Sequence, residues 1–205
     1  FRSMLLGPTE SLVIADETAD PVRLAADLLI EAEHGNDSSV VLLTTSISLA
    51  DATDAQLAEQ LDALPEVRAT AARASLGPNG GCVIVDDLAM AIDVANAYAA
   101  EHLQVAVADD QVDFVVDGLI NAGEILVGQH TPFSAANFVI GCPASLPTSG
   151  FAQVSSGITA DTFLKRTAVA RADAGSIQRM APSVIALAEH EGFPAHANAL
   201  HLRAT

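Results

Sequence analysis

Five short apolar runs, separated from one another by helical stretches, constrain the fold of this chain more than any other feature. The runs are residues 11–15, 39–45, 82–85, 103–107 and 124–127. Continuously apolar runs of this length are typical of strands that are buried on both faces. A strand, a helix and a further strand in succession predict a parallel pair. The sequence therefore predicts an α/β fold with a Rossmann-like, doubly wound and mainly parallel sheet.

The helical connections have recognisable starts and ends. Asp20 is a suitable N-cap and Pro21 a suitable first helical residue, and the helix that they begin is predicted to run to His34, just before Gly35. The other three connections are predicted from Ser48 or Asp51 to Ala74 with a break at Pro65, from Asp86 or Asp87 to His102, and from Asp109 or Asp110 to Asn121.

The alternation of strands and helices stops after Gly128. Residues 129–157 are rich in Thr, Pro, Ser and Gly, which predicts a long functional loop or a domain boundary. Helices are predicted at 161–166, 173–191 and 195–203. We therefore divide the chain into a Rossmann-like domain, 1–150, and a helical C-terminal tail, 151–205. The tail has too little core to stand alone, so we expect it to pack on the sheet domain or on a second subunit.

Charge and hydropathy exclude several classes of function. The chain carries nine Lys and Arg against 26 Asp and Glu, a formal charge of −17, so a nucleic-acid partner is not expected. No apolar run is long enough to span a membrane, and no signal peptide is visible at Phe1–Leu6. Cys82 and Cys142 are expected to be reduced in a cytoplasmic protein. Since position 1 is not methionine, the chain is expected to be part of a longer one.

Two pairs of residues could carry chemistry. Glu31 and His34 are three residues apart in a helix, a spacing that allows a carboxylate and an imidazole to bind one metal ion, although a solvated last turn has the same pattern. Glu101 lies beside His102, and a histidine with an adjacent acid is a natural general base. Because open parallel sheets collect ligands at the carboxyl ends of their strands, we expect a site at that edge.

Eight segments, taken together, resemble the C-terminal half of histidinol dehydrogenase in their order and spacing. The segments are Gly7–Glu10, Asp27–His34, Ala100–Leu103, Asn121–Gly123, Leu146–Gly150, Ser155–Gly157, Phe163–Thr167 and Ala195–His196. The resemblance implies a zinc-dependent, NAD-linked oxidoreductase that oxidises L-histidinol to L-histidine in two steps, as in histidine biosynthesis. It also implies a homodimer in which the C-terminal tail is exchanged between subunits.

The resemblance assigns roles to eight residues of this chain. His102 would be the base that takes the substrate's proton, and Glu101 would activate water for the second oxidation. The metal ligands would be Glu31, His34, Asn137 and His196, and the substrate contacts would be Thr9 and Glu191. The NAD site would lie in the family's N-terminal half, outside this chain, and neither G-x-G-x-x-G nor G-x-x-x-x-G-K-[ST] occurs here.

Several positions depart from the family pattern. Glu31 stands where the family has a glutamine, and Asn137 where it has an aspartate. The exchange is reciprocal, so two imidazoles, one carboxylate and one amide oxygen remain available, which zinc accepts. The family's Asn-His pair is Pro143-Ala144 here, and its serine in the first turn is Thr9.

These departures leave three hypotheses open. The chain could belong to a histidinol-dehydrogenase-like enzyme, or to a related dehydrogenase that acts on another alcohol. It could also be a truncated or diverged member without catalysis, an oligomeric module that binds a metal or a small molecule.

Overall fold

The computed structural model describes residues 5–204. The first four residues, where no signal peptide was predicted, lie outside this range. The chain divides into two compact units, Phe1–Phe163 and Leu164–Thr205, and each is described by itself. Residues 151–163, which the sequence analysis placed in the tail, are grouped with the first unit.

The first unit is built on a five-stranded parallel sheet. Its strands are β1 (Glu10–Ala15), β2 (Ser39–Thr44), β3 (Gly81–Ile84), β4 (His102–Ala106) and β5 (Glu124–Val127). They lie in the order β3-β2-β1-β4-β5, and every neighbouring pair is parallel. This order reverses direction between β1 and β4, so the predicted doubly wound α/β fold is confirmed.

Helices cover both faces of the sheet. In chain order they are α1 (Pro21–Ala32), α2 (Ile47–Leu61), α3 (Glu66–Leu76), α4 (Leu88–Tyr98), α5 (Val112–Gly118) and the short α6 (Phe133–Ala135). One buried cluster joins α1, α2 and α3 to the sheet through residues such as Leu28, Leu49 and Val13. The other joins α4 and α5 to the opposite face through Ile92 and Val115. Strands β1 and β4 are therefore buried on both faces, as their continuous runs predicted. The same prediction is wrong for the edge strand β3, where Val83 and Ile84 are 45% and 46% exposed.

Several helix boundaries differ from the predictions, and three of them have a clear structural cause. The side chain of Ser46 accepts the N–H of Leu49, so this residue caps α2, not Ser48 or Asp51. Ala99 adopts a left-handed conformation at φ 56°, which ends α4 before Glu101 is reached. The side chain of Asn96 accepts the N–H groups of Ile120 and Asn121 and thereby replaces the helical bonds that would have prolonged α5.

The second unit consists of two helices, α7 (Ala174–His190) and α8 (Pro194–His201). Its buried apolar side chains are small: Ala181, Ala188 and Ala197. Large apolar side chains of the same unit, such as Leu187 and Phe193, are exposed. Across residues 5–204, no helix combines the length and the apolar character that a membrane crossing requires.

Gly123, just before β5, lies against the backbone of Ala100 and Glu101, just before β4. The two segments approach so closely that a side chain at position 123 would not fit. The Gly123 N–H donates to Ala100 O at 2.9 Å, and a Cβ at this position would lie 2.4 Å from Glu101 O. A backbone oxygen cannot move aside as a side chain can. We therefore expect Gly123→Ala to lower the free energy of unfolding by about 2 kcal/mol or more, measured by urea denaturation.

Gly175→Ala is the matched control for this substitution. A Cβ at Gly175, in the first turn of α7, would have Arg179 Nη1 as its nearest neighbour at 3.5 Å, an ordinary contact distance. Alanine is the better helix former, so this change is expected to be neutral or to stabilise by about 0.5 kcal/mol. Equal losses in the two variants would contradict the close approach at Gly123.

Candidate functional site

The candidate residues of the first unit lie at the amino ends of the strands. Glu10, His102 and Glu124 are the first residues of β1, β4 and β5. Helix α1 connects two parallel strands and therefore runs back across the sheet, which returns Glu31 to the same edge. The expectation of a site at the carboxyl ends is wrong for these residues.

Glu31 is the centre of the first group of contacts. Its side chain is only 1% exposed although it carries a carboxylate. Thr9 Oγ1 donates to Glu31 Oε2 at 3.0 Å, and Asn137 Nδ2 donates to Glu31 Oε1 at 3.2 Å. Asn137 lies in a π-helical turn, Ala136–Ile140, which follows α6. The fold thus joins three of the predicted site residues, and both oxygens of the carboxylate have partners.

His34 lies just beyond α1, which ends at Ala32 and not at His34 as predicted. Its Nδ1 is 2.9 Å from Ile30 O and 3.5 Å from Glu31 Oε2. A bond to a carbonyl requires Nδ1 to carry the hydrogen, so the lone pair of the neutral ring is on Nε2. The side chain is 54% exposed. His34 therefore combines a fixed ring with an available nitrogen, the usual arrangement of a metal-binding histidine.

His102 is the centre of the second group. Its side chain is 7% exposed, with Nδ1 at 2.6 Å from Glu124 Oε1 and Nε2 at 3.8 Å from Glu101 Oε2. The ring of Phe133 packs edge-on against the imidazole, with the centroids 5.7 Å apart. Burial lowers the pKa of His102, but the hydrogen bond to Glu124 and the charges of Glu31 and Glu101 outweigh burial, so the pKa is raised.

Glu101 is a partly buried acid with a raised pKa. Burial raises the pKa, and the favourable charge of His102 and the hydrogen bond from the Glu10 N–H offset this only in part. The Glu10 N–H lies 3.3 Å from Glu101 Oε2. An acid beside a histidine can exchange protons with a bound molecule, and the raised pKa makes the Glu101 carboxylate a stronger base than an exposed glutamate.

The site has more carboxylates than cationic groups. Glu10, Glu31, Glu101 and Glu124 lie at one edge of the sheet with two imidazoles, those of His34 and His102. Burial raises the pKa of Glu10 as well, and a buried carboxylate oxygen of Glu10 has no hydrogen-bond partner among the described residues. Buried negative charge requires compensation, so this edge favours a cationic ligand.

Two acids of the site, Glu10 and Glu124, were not among the predicted site residues. Each begins an otherwise apolar strand, and the parallel register pairs Glu124 directly with His102. The sequence did contain a signal. A charged residue at the start of a buried strand, beside a neighbouring strand that also starts with a polar residue, indicates a cluster at that edge.

Glu191 and His196 belong to the second unit. Glu191 is the C-cap residue of α7. His196 lies in the first turn of α8, where its ring centroid is 5.2 Å from that of Phe193. Their assignments as substrate contact and metal ligand stay predictions.

Comparison with known proteins identifies the family. The sequence profile named histidinol dehydrogenase matches residues 3–204. The chain belongs to the histidinol dehydrogenase family. It is 46% identical over 197 residues to histidinol dehydrogenase from Synechocystis sp., a match that covers 96% of this chain and 45% of that protein. The enzyme from Thermobifida fusca is 43% identical, with 96% and 44% covered.

A solved structure extends the comparison to the fold. The crystal structure of histidinol dehydrogenase from Elizabethkingia anophelis superposes with a TM-score of 0.91 at 36% identity and covers 98% of this chain. The match covers 45% of that chain. This chain thus spans about half the length of the histidinol dehydrogenases that it matches.

The side chains that could bind a metal at this edge include an amide as well as carboxylates and imidazoles. Within residues 5–204, no three His, Cys, Asp or Glu side chains come together as a metal site. The donors that the structure does place beside Glu31 are the imidazole of His34 and the amide of Asn137. Nitrogen, carboxylate oxygen and amide oxygen are donors that zinc accepts.

Proposed function

We propose that this chain supplies the metal-binding and proton-transfer part of a histidinol-dehydrogenase-like oxidoreductase. The reaction is the zinc-dependent, NAD-linked oxidation of L-histidinol to L-histidine in two steps. One observation carries the proposal: in a member of this family, the Thr9–Glu31–Asn137 group and the Glu101–His102 pair lie at the same edge of one sheet. The central residue of each group, Glu31 and His102, is buried, which strengthens the electrostatic interactions of a proton-transfer site.

The donor set fits a zinc ion. Glu31 would bind through its carboxylate, His34 through Nε2, and Asn137 through its amide oxygen, with the partner subunit's His196 as the fourth ligand through the exchanged tail. The hydrogen bond from His34 Nδ1 to Ile30 O fixes the ring in the tautomer that this role needs. A bound zinc ion would act as a Lewis acid on the oxygen of the substrate. No residue of this chain is proposed to bind NAD.

The proton chemistry belongs to His102 and Glu101. His102 Nε2 has no hydrogen bond from the described residues, and it accepts the proton of the substrate hydroxyl. The imidazolium that results lies between the carboxylates of Glu101 and Glu124, which stabilise its charge. In the second oxidation Glu101 takes a proton from water as the water adds to the aldehyde. Its raised pKa suits this task, because it makes the Glu101 carboxylate a better proton acceptor than an ordinary glutamate.

The second candidate is a non-catalytic module that binds a metal or a small molecule. One observation favours it: Thr9 and Asn137 donate hydrogen bonds to both oxygens of Glu31. A carboxylate whose oxygens are both hydrogen-bonded within the protein is stable without a ligand, so it can be retained in a protein that has lost catalysis. The third reading, a dehydrogenase for another alcohol, shares the proton chemistry and differs in the substrate.

A homodimer with an exchanged C-terminal tail is part of the proposal. The second unit supports it, because only alanines are buried there while Met180, Leu187 and Phe193 are exposed. Such a unit gains its hydrophobic stabilisation from a surface outside itself. A clean monomer in a solution mass measurement would count against the exchange.

Reconstitution tests the function. NAD reduction is measured with L-histidinol and the chain, with and without the remaining half of the Synechocystis relative supplied separately. We expect reduction when both parts are present and none with either part alone. Absence of reduction in every mixture, with both parts folded, would favour the non-catalytic module. Reduction with another alcohol but not with histidinol would favour the third reading.

A further inference from the structure

Glu124 is buried at the start of β5, where it is hydrogen-bonded to His102. Burial and the nearby Glu124 raise the pKa of the Cys142 thiol. The Glu124 side chain is 5% exposed, and Oε1 lies 2.6 Å from His102 Nδ1. Its other oxygen, Oε2, is buried without a hydrogen-bond partner among the described residues. A carboxylate in this state is costly, since its second oxygen gains nothing in exchange for lost hydration. The contact with His102 is what compensates for that cost.

The backbone holds this contact in place. The Glu124 N–H donates to Glu101 O at 3.0 Å, and the sheet register sets Glu124 directly opposite His102. The Gly123 N–H bond to Ala100 O fixes the preceding residue in the same way. The backbone therefore keeps His102 and Glu124 opposite each other on neighbouring strands. Burial of both side chains, at 7% and 5% exposure, favours the contact between Nδ1 and Oε1 over solvation of either group.

We infer that Glu124 is the positioning residue of His102, through which it fixes the tautomer and the orientation of the imidazole. A carboxylate can only accept, so Nδ1 must carry the hydrogen and Nε2 the lone pair. The role of His102 as the base rests on the proposed function, whereas the tautomer does not. When Nε2 takes a proton from a substrate hydroxyl, the ring gains one positive charge and Nδ1–H stays bonded to Glu124. The proton later leaves from Nε2.

A purely structural ion pair would look similar, and the two roles differ in what a substitution changes. A structural role predicts lost stability alone. A positioning role predicts that, once the Glu124 carboxylate is removed, the hydrogen of the neutral His102 ring is no longer confined to Nδ1. It also predicts that kcat falls while KM changes little. Removal of a group that orients a catalytic or metal-binding histidine typically costs about 10–100-fold.

The test uses Glu124→Ala and Glu124→Gln, with Glu17→Gln as the matched control. Glu17 is an exposed acid in the loop between β1 and α1. Long-range ¹H–¹⁵N spectra of the imidazole report the tautomer of His102, and NAD reduction in the reconstituted protein reports kcat. The glutamine side chain keeps an oxygen that can accept the hydrogen bond from His102 Nδ1. Glu124→Gln is therefore expected to fold even if Glu124→Ala does not.

We expect His102 to be in the Nδ1–H form in the wild type and in Glu17→Gln. In Glu124→Ala the spectrum should show a mixture of both tautomers, and kcat should fall about 10–100-fold. In Glu124→Gln the tautomer should remain and kcat should fall less. An unchanged tautomer in folded Glu124→Ala would overturn the inference. Absence of NAD reduction in the wild type would instead remove the proposed function and leave the tautomer result standing.

Discussion

Glutamine in place of His102 is expected to lower kcat for NAD reduction by roughly 10²–10⁴-fold, the usual contribution of a positioned general base. Nε2 of this imidazole has no hydrogen bond from the described residues and lies beside an acid, with Glu101 Oε2 at 3.8 Å. Glutamine has a similar length and can still bond to Glu124, so the fold should survive. It has no basic nitrogen, so the proton transfer is lost. The measurement is steady-state kcat in the reconstituted protein.

His130→Gln is the control for this prediction. His130 is exposed in the loop after β5 and is expected to tolerate the change without loss of kcat. The wild-type rate should also fall on the acid side of the pH profile, because only the neutral imidazole of His102 accepts a proton. Since the pKa of His102 is raised above 6.5, that fall should begin above pH 6.5. An unchanged kcat in folded His102→Gln would remove His102 from the chemistry.

The strands were predictable because their signal is local. Strand β5 spans Glu124–Val127 as predicted, since a glycine precedes it and its last three residues are apolar. The end of α4 was not predictable from composition. Ala99 adopts a left-handed conformation that alanine rarely takes, and no glycine or asparagine marks the position. Helix ends that depend on tertiary contacts, such as the bonds of Asn96 to Ile120 and Asn121, leave no local pattern either.

The site was predictable only in part. Glu31 and Asn137 are 106 residues apart, and no spacing rule joins them; the family resemblance did. The general rule for parallel sheets concerns loops that follow strands, which lie at the carboxyl ends. Here the side chains come from the end of a helix and from the first residues of strands, so they lie at the opposite edge. Glu124 escaped notice because its partner, His102, becomes its neighbour only through the register of β4 and β5.

The central claim is that Glu31, His34 and Asn137 form part of a zinc site beside the base His102. His34 is the most direct probe of that claim. Its side chain is 54% exposed and its one hydrogen bond is to Ile30 O, so alanine at this position should leave the fold intact. The same replacement at the exposed His130 is the matched control, and thermal unfolding of both variants checks their folding.

The deciding measurement is the zinc content of protein purified without chelators, compared between the wild type, His34→Ala and His130→Ala. We expect zinc near one equivalent per chain in the wild type and in His130→Ala. In folded His34→Ala the affinity should fall by about tenfold or more, with a matching loss of bound zinc. Equal zinc content in all three proteins would contradict the account.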